Sequence, residues 1–243
     1  MVIGIVSQKG GVGKTTLAQN LGAELSGAGQ RVLLVDFDPK GNLAIGWGVD
    51  PSSAQHTICT GLSDPKKTAA AIVRLRPKLD LILANETLHV AEPNLLRNAL
   101  ETVRQDYDLV LIDGPPSLDL LTDNVVDASD HLLIPLQAHP FSYRAVDQFI
   151  SRLARRGNRA AKSKTAKQSY SIILMMIDQR NALTRAIEHS ARERYGPSVF
   201  KTKIPLNVAI AEAPLRGLPV GEYERMSKGA KAFRALAKEF KKM

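Results

Sequence analysis

Residues 8–16, Gln-Lys-Gly-Gly-Val-Gly-Lys-Thr-Thr, constrain this chain more than any other stretch. They follow Val2-Ile3-Gly4-Ile5-Val6, a short apolar run that reads as a buried strand. They precede residues 17–28, where Leu17, Leu21 and Leu25 recur at helical spacing. A glycine-rich loop between a strand and a helix brings backbone N–H groups onto a phosphate. The run fits G-x-x-x-x-G-K-[ST] except at its first position, where Gln8 replaces glycine, and Gly13-Lys14-Thr15 close it.

The residue types match that chemistry. Gly10, Gly11 and Gly13, with Val12 between them, let the backbone turn tightly around an anion. The helix starting near Gly13 adds its positive dipole end. Lys14 is expected to reach the outer phosphates, Thr15 to offer its hydroxyl to Mg²⁺, and Thr16 to bond the inner phosphate. A glycine turn that binds nothing leaves the agreement of strand, loop and helix unexplained.

Two further strands end in acids. Arg31-Val32-Leu33-Leu34-Val35 delivers Asp36-Phe37-Asp38-Pro39-Lys40-Gly41-Asn42. In an open parallel sheet, ligands sit beyond the carboxyl ends of strands, so both carboxylates should face the loop. Asp36 is assigned to the metal environment and Asp38 to the attacking water. Tyr107-Asp108-Leu109-Val110-Leu111-Ile112-Asp113 has the Walker B form, with Asp113 in the Mg²⁺ sphere or orienting Thr15. Gly114-Pro115-Pro116-Ser117 leaves that strand as a stiff loop able to sense the terminal phosphate.

The remaining pattern alternates. Strands are expected at 79–83, 131–135, 170–177 and 199–201. Helices are expected at 42–47, 55–61, 66–75, 94–105, 141–156, 183–195 and 228–243. Ala230, Phe233, Leu236, Ala237 and Phe240 fall on one face of the last helix, with Lys231, Arg234, Lys238 and Lys241 opposite. Trp47 reads as core, and Cys59 as a small buried hydrophobe. The fold class is α/β: a P-loop NTPase with a mostly parallel twisted sheet and helices on both faces, in a single domain over 1–243.

Composition excludes some classes and favours another. No apolar run approaches the roughly 20 residues of a membrane span. The N-terminus enters a strand directly and lacks the order of a signal peptide. A lone cysteine permits no internal disulfide and suits a reducing cytoplasm. Residues 151–243 hold 21 Lys and Arg against 7 Asp and Glu, while residues 1–150 hold 12 against 17. That polarity points to a polyanion partner at the C-terminal half. Arg152 to Lys167 contribute seven basic residues and no acid, reading as an exposed helix end and loop.

Three stretches together resemble the deviant Walker family of P-loop ATPases, most closely its ParA/Soj partition branch. They are Lys9 to Thr16, Val35 to Asn42 and Leu111 to Ser117. A fourth, Ile204 to Pro214, resembles the family's adenine-side segment and adds Pro205 and Asn207 as nucleotide contacts. The likeness runs through nearly the whole chain in the same order. It implies that Lys9 is a signature lysine that reaches the partner's nucleotide in an ATP-sandwiched dimer. It also implies that Lys9, Lys14 and Asp38 serve hydrolysis, and that Asp36, Asp113 and Thr15 surround the metal. The chain departs from the family at Lys40, where Gln is frequent, and at Leu206, where Arg is frequent.

The resemblance implies an ATP- and Mg²⁺-dependent dimer, cytoplasmic and nucleoid-associated, that binds DNA without sequence preference. A ParB-like or cargo-adaptor protein would stimulate hydrolysis and release it. The cargo would be a plasmid, a chromosome origin or a protein body such as a carboxysome. Arg185, Arg216, Lys228 and Arg234 are the candidate DNA contacts. The alternative is a MinD-like positioning ATPase on anionic membrane, using the amphipathic last helix. A metabolic P-loop enzyme leaves Lys9 and the C-terminal charge without a role.

Overall fold

The computed structural model describes residues 1–160 and 169–243. Eight strands form one sheet: β1 (Val2–Ile5), β2 (Val32–Asp36), β3 (Ile72–Arg76), β4 (Leu79–Ile82), β5 (Leu109–Asp113), β6 (His131–Gln137), β7 (Ser169–Ile177) and β8 (Val199–Pro205). Their spatial order is β3-β4-β2-β5-β1-β6-β7-β8. Every neighbouring pair is parallel except β3 with β4. The helices are α1 (Lys14–Gly27), α2 (Asn42–Gly46), α3 (Ile58–Ser63), α4 (Leu95–Glu101), α5 (Leu120–Ala128), α6 (Pro140–Ala160), α7 (Ala182–Tyr195), α8 (Val208–Glu212), α9 (Val220–Tyr223) and α10 (Lys228–Phe240).

The central strands are apolar on both sides because helices cover both faces. Leu33, Val35, Val110 and Ile112 pack towards α3, α4 and α5. Their neighbours Val32, Leu34, Leu109 and Leu111 pack towards α1 and α10, where Leu21, Leu25, Phe233 and Leu236 are fully buried. The two-residue repeat of a strand thus builds two core layers from one run of sequence. Among the described residues, no helix is long and apolar enough to cross a membrane.

Three expectations need correction. The helix expected at 66–75 is a short 3₁₀ turn, Pro65–Ala71, followed by the antiparallel edge strand β3. Pairing with β4 decides this, and Arg74 and Tyr107 both bond the buried Asp80 carboxylate of β4. Helix α5 was not expected; Asp119 caps it by accepting from Leu121 and Thr122 N–H. The strand expected at 199–201 continues to Pro205.

The basic stretch is also less free than its composition implies. Arg152 and Arg156 form ion pairs with Asp123, and Arg156 also with Asp127, both acids on α5. Lys162, Lys164 and Lys167 lie outside the described residues, as does the side chain of Arg159.

Candidate functional site

The loop between β1 and α1 turns on two glycines in the left-handed region, Gly11 with φ of 73° and Gly13 with φ of 95°. At Gly13 the positive φ itself disfavours any side chain, and a Cβ there would also press on the Met175 methyl at 2.8 Å, which would have to move aside. Gly13 caps α1 without a side-chain hydrogen bond, and the first turn holds no acid. The leading amides of a 14-residue helix are therefore left for an external anion.

A cavity of about 500 Å³ opens on this loop. Gly10, Gly11, Gly13, Lys14, Thr15 and Thr16 form one wall. Asp38, Lys40, Asn42 and Ile45 form a second, and Pro116, Met176 and Pro214 complete it. The predicted phosphate-loop residues are thus brought together, apart from Val12, which is buried, and Lys9. A second cavity of about 250 Å³ shares Thr16, Met176 and Pro214 with the first and is lined by Pro205, Leu206 and Asn207. Pro205 and Asn207 thus line a cavity that adjoins the phosphate loop.

Asp113 lies at the end of β5, in register with Ile5 of β1 and Asp36 of β2. It is 1% exposed, and neither carboxylate oxygen has a completed hydrogen bond. Burial pushes its carboxyl up to about 7, opposed by the nearby Thr15 hydroxyl and Lys14 ammonium. Lys14 is itself 7% exposed; burial lowers its pKa, while Asp113 and Asp38 raise it. A buried carboxylate with no completed hydrogen bond, beside a threonine hydroxyl, suits a hard divalent cation with its waters. The residues therefore fit Mg²⁺ on a nucleotide, with Thr15 and Asp113 as the groups that would hold it.

Asp36 has a different surrounding. Its carboxylate accepts from the N–H groups of Asp38, Leu43 and Ala44 at 3.2, 3.0 and 3.4 Å. Burial and the neighbouring Asp113 hold its pKa well above the usual carboxylate range. Asp36 is thus an anchor for the start of α2, and it does not line the cavity. Asp38 does line it, with one oxygen accepting from Lys40 N–H at 3.1 Å.

Lys9 does not line the cavity of its own loop. Its ammonium donates to the Ser142 hydroxyl of α6 at 2.9 Å. The candidate DNA residues are spread over the molecule. Arg185 is exposed on α7, where its guanidinium donates to the carbonyls of Gln179 and Arg180. Arg216 and Lys228 are exposed near α8 and α10. Arg234 is half-buried and donates to the Arg225 carbonyl, so it is not on the open basic face expected of it. Helix α7 packs on one sheet face through Ala191 and α10 on the other through Phe233, which separates Arg185 from Arg234.

Sequence reasoning missed several lining residues. Met176 carries no motif, yet it lies between both cavities with φ of 56°, in the left-handed region. Ile45 carries no motif either, while Pro116 of the Gly114–Ser117 loop does stand in the wall of the phosphate cavity.

A family model described as an AAA domain matches residues 1–167. The chromosome partitioning protein ParA of Caulobacter vibrioides is 37% identical over 251 residues, covering 98% of this chain and 92% of that protein. The sporulation initiation inhibitor protein Soj of Bacillus subtilis is 37% identical over 250 residues, covering 98% and 97%. Among solved structures, a cobyrinic acid a,c-diamide synthase from Mycobacterium smegmatis with a bound ATP analog and magnesium superposes with a TM-score of 0.82. It is 31% identical and covers 98% of this chain and 92% of that one.

Proposed function

The chain belongs to the ParA/Soj family of partitioning ATPases, and we propose that it is a DNA-associated positioning switch that ATP closes into a dimer. It is a Mg²⁺-dependent ATPase of the P-loop type. The reading of a switch rests on one observation: Lys9 is held away from its own phosphate cavity, on Ser142. A loop lysine that does not serve its own site is available to serve a partner's. Exposed apolar side chains at the carboxyl edge of the sheet, Leu118, Phe141, Leu206, Val208 and Leu215, offer a surface for that second copy.

In this reading the α1 amides and Lys14 hold the phosphates, and Asp38 orients the attacking water. Mg²⁺, held near Thr15 and Asp113, neutralises charge on the outer phosphates. The partner subunit's lysine completes the site, so hydrolysis is coupled to the dimer. Pairing doubles the number of exposed cations, Arg185 on one sheet face and Arg216 and Lys228 near α8 and α10, which favours DNA phosphates over any base sequence. An adaptor on the cargo accelerates hydrolysis, and the dimer and its DNA contacts come apart. The apolar face of α10 is committed to the core, which supports DNA over a lipid surface as the platform.

Sedimentation with ATP, ADP or no nucleotide tests this. A dimer only with ATP, lost in Lys9→Ala while nucleotide binding persists, is the expected result. A monomer in every state, with phosphate release indifferent to DNA, would point to a metabolic enzyme instead.

A further inference from the structure

Two lysines line the phosphate cavity, and Lys40 is the one that the loop motif does not account for. Among the described residues its ammonium has no ion-pair or hydrogen-bond partner. Its backbone is nevertheless fixed. Asp38-Pro39-Lys40-Gly41 is a tight turn in which Gly41 N–H donates to the Asp38 carbonyl at 3.0 Å and Lys40 N–H to Asp38 Oδ1 at 3.1 Å. Asp first, Pro second and Gly fourth are the residues such a turn favours. Gly41 has φ of 63°, and a side chain there would stand 3.1 Å from the Ala84 carbonyl oxygen. Asp36 then fastens the residues that follow, through Leu43 and Ala44 N–H. Lys40 is therefore an exposed, unpaired side chain on a braced turn, next to the carboxylate assigned to the water.

The cavities give this placement a direction. The base-side cavity meets the phosphate cavity at Thr16, Met176 and Pro214, and neither Asp38 nor Lys40 lines the base side; Lys40 stands at the far rim of the phosphate cavity, where it also borders a cavity of about 640 Å³ lined by Pro51, Asn85 and Glu86. A nucleotide laid across both puts its outermost phosphate farthest from the base, on the Asp38 and Lys40 side. Lys40 is also close enough to Lys14 for its charge to disfavour the Lys14 ammonium. Two cations facing one cavity repel unless an anion lies between them, and the gain grows with the charge of that anion.

We propose that Lys40 contacts the terminal phosphate of the nucleotide in its own subunit and makes the site prefer a triphosphate to a diphosphate. The proposal rests on the reading of this cavity as an ATP site. It assigns to this chain a nucleotide-discriminating cation in addition to Lys14 and to the lysine supplied by a partner.

Calorimetric titration with ADP and with a non-hydrolysable ATP analogue, both with Mg²⁺, tests it at protein concentrations where sedimentation shows a monomer. Lys40→Gln should weaken the ATP analogue about tenfold and ADP less than about twofold, the size of one partly exposed charge-assisted contact. Lys40→Arg should restore most of the preference. In the unmodified protein the preference should shrink with added salt. Equal weakening of both nucleotides, or an unchanged ratio, would overturn the assignment while leaving the ATP site intact. Failure of the unmodified protein to bind either nucleotide would overturn both.

Discussion

Lys9 is tied to Ser142 by a 2.9 Å hydrogen bond, which joins the phosphate loop to the first turn of α6. Ser142 is almost fully buried, so the contact has a fixed acceptor at the amino end of a long helix. Arg152, farther along α6, donates to the Leu118 carbonyl in the loop that follows β5. One helix thus holds both the lysine and the loop leading away from Asp113.

Releasing Lys9 should make pairing easier. Ser142→Ala removes one charge-assisted hydrogen bond, and the ATP concentration needed for half-maximal dimer should fall about threefold to tenfold. Lys9→Ala should abolish the dimer at any ATP concentration. Sedimentation across an ATP series checks both, and a Ser142→Ala protein that pairs less readily would contradict the release of Lys9 as a step.

Asp113 should make the nucleotide-free protein sensitive to pH. Its carboxyl is raised to about 7 by burial, against about 3.9 in an unfolded chain. Between those values the folded protein holds the extra proton, so this group's contribution to stability falls as pH rises. Asp113→Asn should flatten the fall and raise the melting temperature near pH 7.5 by roughly 4–8 °C, or about 2 kcal/mol. Mg²⁺ with nucleotide should stabilise the unmodified protein more at pH 7.5 than at pH 5. Melting curves with the same pH slope in both proteins would assign the dependence elsewhere.

Asp36 should matter before any metal binds. Asp36→Ala leaves the Leu43 and Ala44 N–H groups without their acceptor and should cost about 3 kcal/mol of stability in the nucleotide-free state. Asp36→Asn should cost less, because one acceptor oxygen remains. Urea denaturation without Mg²⁺ measures this. An undisturbed midpoint would return Asp36 to the metal sphere alone.

The last helix should behave as core. Phe233 is fully buried against the sheet, and Phe233→Ala should destabilise by about 3–4 kcal/mol. A negligible shift in the urea midpoint would mean that α10 is detachable and free to engage lipid.

The strands beside the phosphate loop were legible because they are buried on both faces and read as unbroken apolar runs. The loop itself was legible because its glycines answer to backbone geometry. The helical reading of residues 66–75 failed because Ile72 to Arg76 take their conformation from pairing with β4, a tertiary contact that local propensity does not carry. The roles of Asp36 and Asp38 separate only once the amides of α2 are in place, since in the sequence both acids simply follow one apolar run. The basic stretch from Arg152 was read as free because its acids, Asp123 and Asp127, sit on a helix that the sequence reading did not place. Met176 was invisible, because in the sequence it is one apolar residue in an apolar run, and its left-handed backbone arises where β7 shifts register against β8.

Binding to a non-specific DNA duplex, measured over a salt series with ATP and Mg²⁺, with ADP, and for Lys14→Gln, addresses the positioning switch most directly. Binding only with ATP, absent in Lys14→Gln and weakening steeply with salt, is the expected outcome. Equal binding in all nucleotide states, or none with ATP at low salt, would contradict a DNA platform controlled by this site.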